Sequence, residues 1–323
     1  MQRIRLGRTG VEVPAIGFGT WGHGGTNRDF EGVSVGWAGH DDGAARRALV
    51  RGWELGLTHW DTADVYGEGR AEELIGGLWG RVPRHEIFLA SKVGYDPGEH
   101  GRFYHPDLIR SHLARSLRLL ATDHLDLYYF HHCDFGPGDR WLDDALELFH
   151  RFRDEGRIRF IGLSDWDAGE IARLAPRIDP DVVQPLRNLL DDDYAASGLQ
   201  AWVEENDRGA AFFSPLKHGL LLGKYDRPTE FPEGDFRSGV AAFRDPEVIA
   251  RMRAAAAAAR ERFAEHPEPV LHAVTGALLG DSANACVLLG LRNPRQVEAA
   301  ASVGELPSAE DVAWVRRTWR GEG

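Results

Sequence analysis

HWDTADVYGEGRAEELIG, residues 59–76, decides how the rest of the chain is read. A short apolar approach, Leu57 to Trp60, runs into an acid, Asp61, where a strand would end. Tyr66 follows five residues later in a turn rich in Gly67 and Gly69, and Glu72 to Ile75 begin a helical pattern. An acid and a phenol at a strand-to-helix turn stand where α/β folds keep their chemistry. Alone, the stretch reads better as an ordinary βα loop with an N-capping Asp. The regular pattern around it shifts the balance.

Upstream, residues 3–13 (RIRLGRTGVEV) predict a hairpin, with alternating Ile4, Leu6, Val11 and Val13 around a Gly-Arg-Thr-Gly turn. AIGFGTW, 15–21, predicts a first barrel-type strand. Residues 22–40 are glycine-rich and predict a functional loop, with Trp21 and Trp37 at its ends. Asp41-Asp42 caps a helix near 42–55. Downstream, strands are expected at 58–61, 87–92, 125–130, 158–162, 181–184, 210–214 and 285–289. Helices are expected near 71–79, 106–120, 141–155, 167–175, 197–206, 246–265 and 294–302, and a terminal helix at 308–319. Eight strands, each followed by a helix, predict an α/β fold of (β/α)8 TIM-barrel type with an N-terminal β-hairpin and a C-terminal helix. No repeat or linker interrupts the βα rhythm, so residues 1–323 read as one barrel domain. A doubly wound sheet would want GxGxxG after its first strand; here the turn reads GFGTWG and opens into a long loop.

The net charge of −12 over 323 residues argues against a nucleic-acid partner, which needs concentrated positive charge. Cys133 and Cys286 are the only cysteines and form no CxxC pair, which points to a reducing, cytoplasmic setting. No apolar run approaches membrane-spanning length, so no membrane partner is expected. Positive charge is nearly all Arg; the lysines are Lys92, Lys217 and Lys224, and that scarcity makes each worth attention.

The polar residues at the strand ends are Asp61, Lys92, His131, Ser164-Asp165, Gln184 and Phe213-Ser214, with Gly290 ending the last strand. In a barrel these converge on one rim. A free phenol has a pKa of about 10, too high for easy proton transfer near neutrality. A lysine cation beside Tyr66 would stabilise the phenolate, Asp61 would hold that lysine, and a neutral His131 could orient a carbonyl oxygen. Each residue also has a plainer role: a strand-end ion pair, a buried histidine satisfying a carbonyl, a packing aromatic. His131, His132 and Asp134 leave a metal-dependent barrel hydrolase or isomerase as an alternative, but no second ligand cluster such as HxH accompanies them. No metal site is assigned.

GFGTW, DTADVYG, SKVG, SLRLLATDHLDLYYFH, RFRDEGRIRFIGLSD, VVQ, FFSPLKHGLLLGKY and LLGLRNPRQV, in this order, resemble the aldo-keto reductase superfamily. The loop with GWAGHDD resembles bacterial members acting on sugars and small aldehydes. The resemblance implies a barrel that binds a nicotinamide cofactor, usually NADP (as NADPH), with NAD as the alternative. It implies Asp61, Tyr66, Lys92 and His131 as catalytic, with Tyr66 the proton donor in the interconversion of a carbonyl and an alcohol. Ser164, Asp165 and Gln184 would meet the carboxamide and Phe213 the nicotinamide ring. Ser214, Leu216, Gly219 and Leu220 would surround the pyrophosphate, and Gly290, Arg292 and Gln296 the adenosine and its phosphate. Trp21, Trp37 and Trp166 are the candidate substrate contacts, for a small carbonyl or sugar.

Departures from the family pattern are expected to matter. Asp165 stands where Asn is usual, and a carboxylate cannot donate as an amide can. Ala299 and Ala300 stand where an acid and an Asn usually meet adenine, Lys217-His218 replaces a Gly-Arg pair, and Arg187 replaces a common Tyr. Arg292 is the candidate grip on a 2′-phosphate. Acids including Asp134, Asp139 and Asp191–Asp193 are expected near the rim, where they would disfavour anionic substrates. Some members of the superfamily serve ion channels, so a non-catalytic, cofactor-binding regulatory subunit is the remaining alternative.

Overall fold

A computed structural model describes residues 2–322. Ten strands are β1 (Arg3–Arg5), β2 (Glu12–Pro14), β3 (Ile16–Gly19), β4 (His59–Asp61), β5 (Phe88–Val93), β6 (Leu125–Phe130), β7 (Ile158–Asp165), β8 (Val182–Pro185), β9 (Gly209–Phe212) and β10 (Ala285–Gly290). β3 to β10 close into an eight-stranded barrel in sequence order, with β10 pairing back to β3. Neighbouring strands are parallel throughout. All eight expected strands are present, and the fold is the expected (β/α)8 barrel.

Period-two alternation sorts the side chains. Phe88, Ala90, Leu127, Tyr129, Val182, Ala211, Cys286 and Leu288 form an inner cluster, and the larger apolar cluster lies between strands and helices. β1 and β2 pair as the expected hairpin, and its Leu6 and Val13 join the inner cluster as a plug. Gly7 sits at φ 53° against Arg208, where a Cβ would come within 2.2 Å of backbone carbon. That close approach requires glycine.

Higher in the lumen, Tyr129 lies over Gly162. A Cβ at Gly162 would meet the tyrosine ring at 2.1 Å. The polar strand-end residues Lys92, Ser164 and Gln184 continue these inward-facing rows, so the same alternation that fills the barrel delivers the chemistry to its C-terminal mouth.

Two features depart from the expected βα rhythm. The seventh barrel strand, β9, is followed by an irregular segment with 3-10 turns at Lys217–Leu222, Phe236–Gly239 and Ala241–Phe243 before the helix Pro246–Arg262. A further helix, Pro269–Leu279, occupies a stretch left unassigned by the periodicity. Val270 to Leu279 are all buried, because the helix packs against Pro246–Arg262, Ala309–Arg320 and β10. A helix covered on every side carries no apolar stripe for a periodicity reading to find. Among the described residues no helix is long and apolar enough to cross a membrane.

Gly162→Ala is expected to lower unfolding free energy by about 1–3 kcal/mol through overpacking against Tyr129. Gly80→Ala, where a Cβ would meet nothing within 4 Å, should stay within about 0.5 kcal/mol of the parent. Urea midpoints for both variants check this; equal midpoints would show that Tyr129 can yield.

Candidate active site

At the C-terminal mouth, Lys92 Nζ donates to Asp61 Oδ1 at 2.5 Å, to the Thr62 carbonyl at 2.7 Å and to the Tyr66 hydroxyl at 3.3 Å. The ammonium's three donors are thereby used, on a side chain with no exposure. Gln184 Nε2 reaches across the lumen to Asp61 Oδ2 at 2.9 Å. Asp61, Tyr66, Lys92 and His131 are therefore brought together, and Tyr66 and His131 line a cavity of about 550 Å³.

Burial, with Asp61 and Asp64 nearby, raises the Tyr66 phenol well above its ordinary value. It is held as a neutral hydroxyl, because burial outweighs the lowering expected from its lysine neighbour. Burial lowers the Lys92 ammonium against the pull of Asp61. Burial, then Lys92 and His132, lower His131 well below the usual imidazole range, so its ring is neutral. His131 Nδ1 has no hydrogen-bond partner among the described residues.

The candidate carboxamide residues divide by what they have left to offer. Ser164 Oγ donates to the Gln184 carbonyl at 2.9 Å and retains acceptor capacity. Gln184 spends its amide on Asp61 and likewise keeps an acceptor oxygen. Asp165 accepts from the backbone N–H of Cys133 at 2.6 Å and of Asp167 at 2.8 Å, bracing two loops. Phe213 borders both this cavity and a second of about 180 Å³.

The second cavity is lined by Ser214, Leu216, Gly219, Gly290, Arg292 and Gln296, all candidates from the sequence. Leu220 turns into the apolar core. Ala300 is buried and Ala299 packs against the core; neither lines either of these two cavities. Two cations that the motifs did not single out join Arg292 here: Lys224 and Arg237. Burial first, and Arg237 and Arg292 after it, lower the Lys224 ammonium. Arg237 is held by Asp235 through Nη2 at 2.7 Å, and Arg292 Nη1 donates to the Ala38 carbonyl at 2.8 Å. Lys217 is ion-paired with Asp191, and burial drops His218 to about 4, so neither of that pair offers free positive charge. Of the three lysines, Lys92 and Lys217 are each held in an ion pair and Lys224 lines the second cavity.

Trp21 borders both cavities and stacks near Tyr66 with ring centroids 6.2 Å apart. Trp166 lines the first cavity; Trp37 lines the second, beneath the Arg237 guanidinium at 4.7 Å. The long loop is laced to residues 233–236: Asn27 and Gly36 N–H groups donate to the Gly234 carbonyl, and Phe236 N–H donates to Gly36. Arg187, expected at a family tyrosine position, is buried between Asp192 and Asp281 over the Phe212 ring. The acids expected at the rim are largely engaged elsewhere, Asp139 with Arg173, Asp191 with Lys217 and Asp192 with Arg187. The carboxylates that line the first cavity are Asp29, Asp64, Glu68, Asp96 and Asp165.

His131, His132 and Asp134 do not gather as metal ligands. The one such group among the described residues is His100, His105 and Asp107 on a rim loop. Its two imidazoles stack 3.9 Å apart with planes 5° from parallel, so their in-plane lone pairs do not converge.

Behind Lys92 lie two more buried acids. Asp64 bonds His112 Nδ1 at 2.6 Å. Glu72 accepts from Ser91 Oγ at 2.7 Å, and burial lifts its carboxyl to about 7.

This is the architecture of a barrel oxidoreductase. The profile of the Aldo/keto reductase family matches residues 15–318, and the chain belongs to that family. It is 34% identical over 232 residues to the aldo-keto reductase yakc of Schizosaccharomyces pombe, whose name designates NADP(+). That match takes in 70% of this chain and 64% of the relative's length. It is 27% identical to aldo-keto reductase YhdN of Bacillus subtilis over 94% of this chain and 88% of that protein. Among solved structures, the glycerol dehydrogenase AKR11B4 of Gluconobacter oxydans shares the fold with a TM-score of 0.79 at 24% identity, covering 98% of this chain and 94% of that one.

Glu72 makes stability depend on pH. Its folded pKa of about 7 exceeds the ordinary value of 4.5, so its contribution is fully present below the unfolded value and is lost as pH rises through 7. Glu72→Gln keeps an acceptor for Ser91 and removes the charge. It should gain up to about 3 kcal/mol on the parent between pH 5 and pH 8. Urea unfolding across that range tests it; a constant difference would mean that the carboxyl is already ionised at pH 5.

Proposed function

We propose that the protein is an NADP-dependent oxidoreductase that interconverts an aldehyde, ketone or sugar carbonyl and the corresponding alcohol, with Tyr66 as proton donor and residues 1–323 acting as one catalytic domain. The observation that carries this reading is the contact chain from Asp61 through Lys92 to the Tyr66 hydroxyl, beside a neutral His131 at one cavity. When bound, the cofactor supplies or accepts the hydride. The chain's own residues do the rest. Tyr66, a neutral phenol, holds the proton that a reduced carbonyl oxygen needs. The Lys92 ammonium lies 3.3 Å from that hydroxyl, where it stabilises the charge left when the proton departs. Asp61 and the Thr62 carbonyl keep the ammonium aimed. His131 can donate a hydrogen bond to the carbonyl oxygen from one ring nitrogen without bringing a positive charge.

The residues present suit a nicotinamide dinucleotide. Ser164 and Gln184 retain acceptors for a carboxamide NH2, and Phe213 offers a ring face at the junction of the cavities. Lys224, Arg237 and Arg292 form a cationic end for phosphate, which favours NADP over NAD. The NADP(+) designation of the Schizosaccharomyces pombe relative supports this choice. A regulatory subunit that only bound cofactor would have no use for the complete acid–base set.

Tyr66→Phe is expected to lower kcat for aldehyde reduction by about 10²-fold or more. NADPH should still quench tryptophan fluorescence in that variant, and undiminished turnover at 340 nm would remove Tyr66 from the chemistry. Lys224→Met should weaken NADPH binding by about tenfold, the cost of one charged hydrogen bond, and NADH binding much less. Equal losses for the two cofactors in fluorescence titrations would place Lys224 away from the 2′-phosphate.

A further inference from the structure

The cleft is electrically polarised along its length. The second cavity holds Lys224 and Arg292, with Arg237 paired to the buried Asp235, and its one acid, Asp61, is paired with Lys92. The first cavity is lined by Asp29, Asp64, Glu68, Asp96 and Asp165. Its two guanidiniums do little to neutralise them. Arg28 is ion-paired with Glu233 outside the cavity, which leaves the Arg115 guanidinium, bonded to the Glu68 backbone carbonyl, as the one lining cation against five carboxylates. Asp29 and Asp165 take their hydrogen bonds from backbone amides, which carry no net charge. Asp96 has only His112 Nε2, at 3.6 Å.

The apolar surface of the same cavity is aromatic. Trp166 stacks on Phe236 with centroids 5.7 Å apart and meets Phe213 edge-on at 4.8 Å, and Phe236 abuts Trp21 at 5.0 Å. Aromatic faces attract cations and flat apolar rings. His131, with 9% exposure, lines the cavity and brings it a polar edge.

On the carbonyl-oxidoreductase reading above, we propose that the substrate cavity selects by charge: it takes neutral or cationic aryl aldehydes and rejects carbonyl compounds bearing a carboxylate or phosphate. A cleft walled by low-dielectric aromatic rings focuses the field of its carboxylates on whatever enters. An anionic cofactor meets the basic end and an anionic substrate meets the acidic one. Glu68 and Asp96 are the specificity-determining residues: Glu68 makes no ion pair among the described residues, and Asp96 shares the His112 imidazole with Asp64.

The test uses the full-length protein, saturating NADPH and three para-substituted benzaldehydes: 4-nitro (neutral), 4-carboxy (anion) and 4-trimethylammonio (cation). At an ionic strength of about 0.01 M, kcat/KM for the carboxylate should fall at least about tenfold below that for the nitro compound, with the cation at or above it. Near 1 M salt, where the Debye length shrinks to about 3 Å, the gap should close to within about threefold. In Glu68→Gln and Asp96→Asn the carboxylate-to-nitro ratio should rise by about two- to fivefold each. Comparing ratios cancels intrinsic aldehyde reactivity, and NADPH quenching reports that each variant is folded. A carboxylate turned over as well as the nitro compound at low salt, or a ratio moved by neither salt nor variants, overturns the proposal. No reduction of any of the three, with quenching intact, overturns the carbonyl reading and this inference with it.

Discussion

A lysine ammonium with no exposure has to find partners for its charge and its three donors, and most of this site follows from that need. Leaving such a group unpaired would cost several kcal/mol. Lys92 finds a carboxylate, a backbone carbonyl and a phenol, all from β4 and the turn that follows it. The ion pair thereby ties the end of β5 to the end of β4, where Asp61 already pairs with Ala90. Asp61 would be left with one oxygen unsatisfied, and Gln184 supplies the missing donor from β8. Three strands are joined through one charge, so disturbing any member should be felt by the others.

The cofactor half of the cleft is built from less regular material. Ser214, Lys217 and His218 all adopt positive φ, at 53°, 43° and 58°. Non-glycine residues there cost of order 1–3 kcal/mol each and persist only where their surroundings hold them. Here the holding is visible: Gly223 packs against the helix Pro246–Arg262, where a Cβ would come within 2.7 Å of the Met252 carbonyl. The lacing of residues 25–38 to 233–236 then places Arg237 and Arg292 on the same side as Lys224. Asp235, fully buried, binds both the Arg237 side chain and the Ala38 N–H, and so couples the cation to the loop above it.

What the sequence discloses tracks how regular its backbone is. The barrel strands were legible because alternation continues to a polar end residue, as in Phe88, Ala90 and Lys92. Asp61, Tyr66, Lys92 and His131 were legible for the same reason, each standing at or just past a strand end. Lys224 and Arg237 lie on a segment without period; the rarity of lysine and the FFSPLKHGLLLGKY stretch pointed to the first of them, and no motif to the second. The helix Pro269–Leu279 escaped because it has no polar face. Proline at its first position was a start signal, but without an amphipathic stripe there was nothing to extend it. The ion pairs that engage Asp139, Asp191 and Asp192 join residues from separate elements, and a sequence alone does not show which acid meets which base.

Asp165 shows how one substitution can serve two ends. By the family resemblance an amide is usual there, and an amide could donate to a carboxamide oxygen. The carboxylate instead accepts from Cys133 and Asp167, clasping the segment after β6 to the turn after β7. Charge-assisted hydrogen bonds to backbone N–H groups are stronger than neutral ones, so the clasp is firmer than an amide would make it. The same negative charge lines the cavity where a carbonyl compound would lie. What the site gives up in a donor toward the cofactor it regains as rigidity in two loops and as one more charge against anions.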